Sequence, residues 1–187
     1  MNTLIVVAHP RQNSLTHAVA STFASGIGKK GHAVEWADLV AENFDPVLRE
    51  GDEPDWNDPD KTYTPGVLRE VERIKRNEAT VMIFPVWWWS LPAILKGWID
   101  RVWNHGIAYG ARSYPHQRVW MIGVAGVGKS TYRADGYDSA IQTQWKAGIL
   151  DYCGVADGRV ELLFGSMEGP ERVAGILARA AEIGAEY

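Results

Sequence analysis

Residues 79–90, ATVMIFPVWWWS, join an apolar run to three consecutive tryptophans. The first six residues show no alternation of apolar and polar side chains. A strand that is covered on both faces has this composition, whereas a strand with one wet face alternates. The stretch therefore predicts a central strand of a parallel sheet, followed at its carboxyl end by a tryptophan-rich loop.

Four further apolar runs alternate with helical patterns along the chain, at 3–8, 33–37, 119–124 and 160–164. The helical patterns lie at 15–30, from 65 onward, from 92 onward, near 138–152 and at 170–183. Ser14, Thr64 and Ser90 are expected to cap the first three helices, and Gly31 to end the first. Because crossovers are right-handed, this order predicts an α/β fold with a five-stranded parallel sheet in the order 2-1-3-4-5 and helices on both faces.

Ligands of such sheets bind at the carboxyl ends of the strands, near the point where the winding reverses. Three loops are expected to meet there, at 9–14, 85–90 and 124–137. The first opens a helix whose free amides attract anions, so it is either a phosphate cradle or a simple helix cap. The second offers backbone donors and flat side chains, which an isoalloxazine ring requires.

Composition restricts the partners and the compartment. The net charge of −4 and the lack of a basic run argue against nucleic acid as a main partner. Cys153 is the only cysteine, which excludes an internal disulfide and fits a cytoplasmic location. No apolar run is long enough to span a bilayer, and MNTLIVVAHP is interpreted as a buried strand and not as a signal peptide.

Residues 123–130, GVAGVGKS, match the P-loop pattern, which makes a P-loop phosphotransferase a further hypothesis. The residues that follow, TYRADGYDS, have little apolar periodicity, so no helix is expected to begin there as a P-loop requires. We favour the interpretation that small residues at 124–128 make room for a ring close to the backbone. Lys129 would then be a solvated surface residue.

Three segments resemble a known family: AHPRQNSLT, FPVWWWSLPAILKGWIDRVWNHGIAYG, and the stretch from GYD to ILDYCG. Together with DEPDWNDPDK they extend the resemblance over almost the whole chain. The chain resembles the NAD(P)H:quinone oxidoreductase family of flavodoxin-like flavoproteins. Within it, the chain is most similar to the short bacterial NAD(P)H oxidoreductases and to the ancillary proteins of potassium efflux systems.

The resemblance implies a single flavodoxin-like, flavin-binding domain over residues 1–187, with FAD as cofactor, FMN as the alternative, and NAD(P)H as electron donor. It implies a cytoplasmic homodimer that acts as an NAD(P)H dehydrogenase of the quinone type. Such an enzyme reduces quinones or similar flat acceptors by two-electron, ping-pong hydride transfer. The alternative is an ancillary regulatory subunit in peripheral contact with a membrane potassium efflux transporter.

The resemblance also assigns site residues. The flavin phosphates would be held by His9, Asn13, Ser14, Leu15 and Thr16. The flavin ring would contact Pro85, Val86, Trp87, Trp88, Trp89, Ala125, Gly126, Val127 and Tyr132. Tyr132 matches the family's active-site tyrosine, and Tyr137 stands where mammalian-type enzymes carry a histidine, so these two are the catalytic candidates. The substrate pocket would be formed by Trp88, Ile107 and Tyr109, the last two covering the site of a neighbouring subunit.

The remaining aromatic and imidazole side chains are expected to be structural. Trp98 and Trp103 lie on the apolar stripe of a predicted helix and should belong to the core. His105 and His116 are expected to be ordinary surface or loop residues. The other histidines, His17 among them, have no partner at metal-ligand spacing, and no metal site is predicted.

Overall fold

A computed structural model describes residues 1–58 and 60–187 and places five parallel strands in one sheet. The strands are β1 (Asn2–Val7), β2 (Ala33–Asp38), β3 (Ala79–Pro85), β4 (Arg118–Val124) and β5 (Asp157–Leu163). Their order in the sheet is β2-β1-β3-β4-β5, which confirms the predicted α/β class and strand order. All seven residues of β3 are buried, as its unbroken apolar run predicts.

Helices cover both faces of this sheet. They are α1 (Leu15–Lys29), α2 (Pro65–Lys75), α3 (Ala93–Val102), α4 (Lys129–Ala134), α5 (Tyr137–Ile141) and α6 (Pro170–Glu186). The chain continues from α5 directly into a π-helical segment, Gln142–Asp151. Helices α1 and α6 share one core layer with one face of the sheet, and α2 and α3 share another with the opposite face. Among the described residues, no helix combines the length and apolar character needed to cross a bilayer.

The predicted helix caps differ in outcome. Ser14 caps α1, since its hydroxyl accepts a hydrogen bond from the amide of His17 at 3.3 Å. Thr64 occupies the N-cap position of α2, but its hydroxyl donates to the buried carboxylate of Asp52 at 3.0 Å. The prediction for Ser90 is wrong. Its backbone pairs with that of Trp87 in a tight turn, and α3 begins only after Pro92.

A buried ion pair fixes the long polar connection between β2 and α2. Asp52 is fully buried within the short 3-10 helix Glu50–Asp52, and its carboxylate lies 2.7 Å from Nη2 of Arg101 in α3. The amide of the Asn104 side chain donates to the carbonyl of Asp52 at 2.6 Å. Removing one partner of such a pair leaves an uncompensated buried charge, so the connection is held firmly against α3.

The two histidines that were expected to be surface or loop residues do lie between α3 and β4, but both are buried. His105 is 7% exposed and His116 is 3% exposed. Nε2 of His116 donates to the carbonyl of Ile74 at 2.9 Å, so its Nδ1 accepts from the hydroxyl of Thr80 at 2.8 Å. The hydroxyl of Tyr114 lies 2.9 Å from that of Thr80 and completes the chain. His116 differs from the expectation because residues just before β4 enter the layer between the sheet and α2.

Candidate functional site

Three loops meet at the carboxyl edge of the sheet because the strands that precede them are parallel neighbours. The amide of Ala8 donates to the carbonyl of Ile83 at 3.2 Å, which joins the end of β1 to β3. The amide of Val86 donates to the carbonyl of Val124 at 2.9 Å, which joins the end of β3 to β4. The tryptophan-rich loop therefore lies between the loop of residues 9–14 and the glycine-rich segment of residues 123–128.

The tryptophan-rich loop is a strained tight turn. The backbones of Trp87 and Ser90 hydrogen-bond to each other in both directions, and the two residues between them have positive φ, 50° at Trp88 and 58° at Trp89. Turns of this kind favour Gly, Asn or Asp at both positions. A non-glycine residue there costs on the order of 1–3 kcal/mol. The fold tolerates this strain while leaving the indole of Trp88 94% exposed.

The three tryptophans point in different directions. The ring of Trp87 is 45% exposed and lies 6.0 Å from the ring of His9. Trp88 projects into solvent. Trp89 stacks on Tyr137, with ring centroids 3.8 Å apart and an interplanar angle of 7°. Trp87 and Trp88 are thus open to a ligand, whereas the face of Trp89 is occupied by a side chain of the same molecule.

Tyr132 lies at the centre of an aromatic cluster next to this turn. It is 1% exposed and packs edge-on against Trp89 at 5.2 Å and Phe164 at 5.0 Å. Burial raises the pKa of its phenol, so the hydroxyl keeps its proton at neutral pH. That hydroxyl makes no hydrogen bond to another described residue, which leaves it available as a neutral donor.

The first loop presents the amino end of a long helix. Ser14 and Thr16 are buried, Leu15 is half-buried and Asn13 is exposed. The backbone amides of Leu15 and Thr16 have no acceptor in the part of the chain that the structure describes. Nδ1 of His9 accepts from the amide of Arg11 at 3.0 Å, and burial is the main cause that lowers the pKa of His9. The free amino end of α1, a helix of 15 residues, favours binding of an anion such as a phosphate.

One member of this loop region was missed by the sequence reasoning. Nε2 of His17 lies 2.9 Å from the carboxylate of Asp38, and its Nδ1 lies 3.0 Å from the hydroxyl of Ser14. The carboxylate of Asp38 also accepts from the side-chain amide of Gln12 at 2.7 Å. The predicted pairing of the first two strands could have indicated the contact between His17 and Asp38, because it brings the end of β2 beside the start of α1.

A shallow groove of about 180 Å³ runs between His9 and Trp87. Ligand pockets usually measure about 300–1,000 Å³, so a large flat ligand must lie mainly over the exposed indoles. Larger cavities lie elsewhere. One of about 540 Å³ lies beside β5 and α5, and one of about 450 Å³ includes Tyr63, His105 and Ile107.

A family model described as a flavodoxin-like fold matches residues 1–186. The chain belongs to this family. It is 37% identical over 160 residues to an uncharacterized NAD(P)H oxidoreductase of Escherichia coli, covering 85% of this chain and 81% of that protein. It is 27% identical over 175 residues to the NAD(P)H dehydrogenase [quinone] 1 of Rattus norvegicus, covering 81% of this chain and 64% of that protein.

A solved structure extends the similarity to the whole flavodoxin-like chain. The NAD(P)H:quinone oxidoreductase from Methanothermobacter marburgensis superposes with a TM-score of 0.92 at 29% identity, covering 100% of this chain and 96% of that one. The relatives support the prediction of an NAD(P)H oxidoreductase-type enzyme. The resemblance seen in the sequence is confirmed at the level of the family.

The glycine-rich segment of this flavodoxin-like chain packs against the segment that follows β5. A Cβ at Gly126 would lie 3.0 Å from the sulfur of Met167, and one at Gly128 would lie 2.7 Å from a carboxylate oxygen of Glu168. These contacts with the segment after β5 explain why a side chain is disfavoured at both positions, and the expectation that the glycines make room for a ring stays a prediction. Ala125 is fully buried, and Gly126 and Val127 are half-buried.

The P-loop hypothesis fails for a different reason from the one expected. A helix does begin at Lys129, so the expectation of no helix there is wrong. That helix, α4, is only six residues long, and the carboxylate of Glu168 lies against Gly128 at its amino end. The amide of Ala125, which a P-loop would turn toward phosphate, donates to the carbonyl of Leu163 at 2.8 Å. A carboxylate at this position repels a triphosphate.

Ile107 and Tyr109, the other two residues assigned to the substrate pocket, lie away from the tryptophan-rich loop of the same chain. Tyr109 packs near Trp56 at 5.8 Å and Tyr152 at 5.9 Å. Ile107 lines the cavity of about 450 Å³. Their predicted role at a neighbouring subunit's site stays a prediction.

Three features of the structure fit the flavin that the resemblance implies. The free amino end of α1, with Ser14 and Thr16, suits phosphate. The exposed indoles of Trp87 and Trp88 suit the face of a flat ring. The protonated, unpartnered hydroxyl of Tyr132 suits an acceptor on such a ring. Within residues 1–58 and 60–187 no cluster of three metal-ligating side chains is present.

Proposed function

We propose that the protein is a flavin-dependent NAD(P)H oxidoreductase that reduces quinones or similarly flat acceptors by two electrons. FAD is the proposed cofactor and FMN the alternative. The observation that carries the proposal is the strained turn that exposes Trp88 and sets Trp87 beside His9 of the loop before α1, in a chain of this family. Strain retained at an exposed aromatic residue is expected where a ligand uses that residue.

The chain's own residues would divide the binding between them. The amides of Leu15 and Thr16, the hydroxyl of Ser14, and the neighbouring side chains of His9 and Asn13 would hold the phosphates. Along one edge, the ring would meet the backbone of the turn, formed by Pro85, Val86, Trp87, Trp88 and Trp89. The far edge would be bordered by Ala125, Gly126 and Val127. When bound, the flavin would supply the capacity to take a hydride from NAD(P)H and to pass two electrons to the acceptor.

Tyr132 and Tyr137 would have different roles. The neutral phenol of Tyr132 is the proposed hydrogen-bond donor to the ring, and its raised pKa keeps the proton in place. Tyr137 would act through its stack with Trp89, which fixes the end of the turn. Tyr132 is thus the proposed catalytic residue, and Tyr137 a positioning residue.

Donor and acceptor would bind in turn over the open side of the ring, in one shared space beside the exposed indoles of Trp87 and Trp88. A shared space predicts ping-pong kinetics. The shallow groove leaves that space open to water, so the proposal includes a homodimer in which Ile107 and Tyr109 of a second copy cover it. A covered site strengthens the electrostatic interactions within it.

The experiment is purification followed by heat release of the cofactor and mass spectrometry, which separates FAD from FMN. We expect a yellow protein that oxidises NADH or NADPH with a quinone and gives parallel double-reciprocal lines. Trp88→Ala should lose turnover. Trp36→Ala should not, and it is the matched control because Trp36 is an exposed tryptophan of β2. A colourless protein that takes up neither flavin would overturn the proposal.

The alternative of an ancillary transporter subunit has no support in the described residues. The relatives described above carry the names of oxidoreductases, and nothing on the described residues points to a transporter as partner.

A further inference from the structure

The start of α1 carries an arrangement that the phosphate-binding role alone does not require. His17 is buried to a large degree, with 15% of its side chain exposed, and bridges Asp38 and Ser14. The hydroxyl oxygen of Ser14 accepts a hydrogen bond from the backbone amide of His17 at 3.3 Å. The same oxygen lies 3.0 Å from Nδ1 of the His17 ring. Both ring nitrogens of His17 are therefore engaged, one with a carboxylate and one with a hydroxyl.

The protonation state of His17 decides where the hydrogen of the Ser14 hydroxyl points. Nε2 faces a carboxylate, which only accepts, so Nε2 carries a hydrogen in either state. In the neutral ring, Nδ1 is bare and accepts the hydrogen of Ser14. In the charged ring, Nδ1 donates to Ser14. The oxygen of Ser14 then has two donors, and its own hydrogen is free to point toward the amino end of α1.

We propose that His17, held by Asp38, is a proton-linked positioning residue for the flavin phosphate. A proton taken from solvent onto Nδ1 of His17 adds a positive charge near the phosphate and turns the Ser14 hydroxyl into a donor to it. This inference rests on the proposed function, since it assigns the phosphate to the amino end of α1. It names a residue that the sequence-based assignment left out.

The charged and titratable groups around His17 come from two elements. The loop contributes His9, whose ring centroid lies 6.3 Å from that of His17, and Arg11, whose amide donates to Nδ1 of His9 at 3.0 Å. The end of β2 contributes Asp38, whose amide donates in turn to Glu42 at 3.2 Å. Helix α6 shares a core layer with α1, whereas His17 contacts the end of β2.

Thermodynamic linkage makes the consequence reciprocal. If binding of the phosphate takes up a proton at His17, affinity falls as pH rises through the range in which histidine titrates, by up to about tenfold per pH unit. By the same linkage, bound phosphate must favour the protonated imidazole. A purely structural role for His17 predicts neither effect.

The experiment measures proton uptake on binding to the apoprotein, by calorimetry in two buffers of different ionisation enthalpy. FAD is the phosphate-bearing probe, because its diphosphate does not titrate near neutral pH, and riboflavin is the probe without phosphate. We expect uptake approaching one proton for FAD and none for riboflavin in the wild type. His17→Asn should abolish the uptake and its pH dependence. His32→Asn, a histidine change away from the loop, should keep both.

Each possible result of these measurements either supports or overturns the proposed role of His17. FAD binding without proton uptake, or unchanged uptake in His17→Asn, would overturn the role of His17 and leave the proposed function standing. Failure to bind any flavin would overturn both. Should His17→Asn not fold, the imidazole signals of the wild-type protein answer the question by nuclear magnetic resonance. FAD should move the titration of His17 to higher pH, riboflavin should not, and an equal response to both would contradict the proposal.

Discussion

The tryptophans of the strained turn and those in and after α3 are close together in the sequence, but their environments are opposite. Trp88 in the strained turn is 94% exposed, whereas Trp98 in α3 is fully buried. The indole nitrogen of Trp98 donates to the buried carboxylate of Glu70 at 3.0 Å, and Trp103 stacks on Tyr114 with centroids 3.9 Å apart. Residue type alone does not assign a role. Burial and backbone conformation separate an aromatic binding surface from an aromatic core.

The largest expected effect concerns the buried member of this comparison. Trp98→Ala should lower the free energy of unfolding by about 3–5 kcal/mol, because it leaves a cavity and removes the indole donor to Glu70. Denaturant unfolding measures the loss. Trp88→Ala, measured in parallel, should change stability by much less, since the indole is exposed. Equal losses at the two positions would break the comparison.

The buried layer between the sheet and α2 should also carry a pH dependence. Burial lowers the pKa of His116, opposed in part by Glu78, so the folded protein favours the neutral ring that accepts from Thr80. The unfolded chain binds the proton at higher pH. The contribution of His116 to the free energy of unfolding is therefore fully present above about pH 6.5. Below that pH the contribution falls by at most about 1.4 kcal/mol per pH unit.

His116→Gln tests this expectation, because an amide can replace both hydrogen bonds without titrating. Unfolding measured from pH 7.5 to 5 (roughly the range of histidine titration) should show a shallower decline in the variant than in the wild type. His9 in the first loop also has a lowered pKa, so some decline should remain. An identical slope in the two proteins would contradict the assignment to His116.

A smaller effect of opposite sign is expected in the strained turn. Trp88→Asn should raise the free energy of unfolding by about 1 kcal/mol, because asparagine tolerates positive φ and little burial is lost. The same change should weaken flavin binding by about two- to tenfold, the worth of one aromatic contact. Trp36→Asn in β2 is the control, and it should not stabilise. A Trp88→Asn protein that is less stable than the wild type would show that the turn is not strained.

The smallest effect is expected beside the turn, at the P-loop-like segment. Lys129 is exposed, and Lys129→Ala should leave flavin content unchanged and stability within about 0.5 kcal/mol. Equilibrium dialysis with ATP should detect no binding to either protein. Binding of ATP that depends on Lys129 would restore the phosphotransferase hypothesis.

Much of the site could be predicted because its loops follow from strand order. The loops after β1, β3 and β4 had to meet once the sheet was predicted, and the hydrogen bond from Val86 to Val124 shows that they do. The direction of each tryptophan could not be predicted. It depends on the positive φ of Trp88 and Trp89, which no sequence rule for tryptophan anticipates.

The glycine-rich segment and the histidines show the other limit. Whether Gly126 and Gly128 face a ligand or the chain itself depends on Met167 and Glu168, about forty residues later along the chain and after another strand. The environment of His116 likewise depends on Thr80 and Ile74, from two other elements. Spacing rules within one segment carry no information about such partners.

The sequence by itself determined the elements, their parallel order and the edge at which the loops gather, because apolar periodicity, helix caps and crossover handedness act locally along the chain. The tertiary structure decided which side chains at that edge are free to act. It placed Tyr132 in the core, turned Trp88 outward and paired His17 with Asp38. Exposure, strain and ion pairing arise only when distant segments compete for the same space, and local patterns do not record that competition.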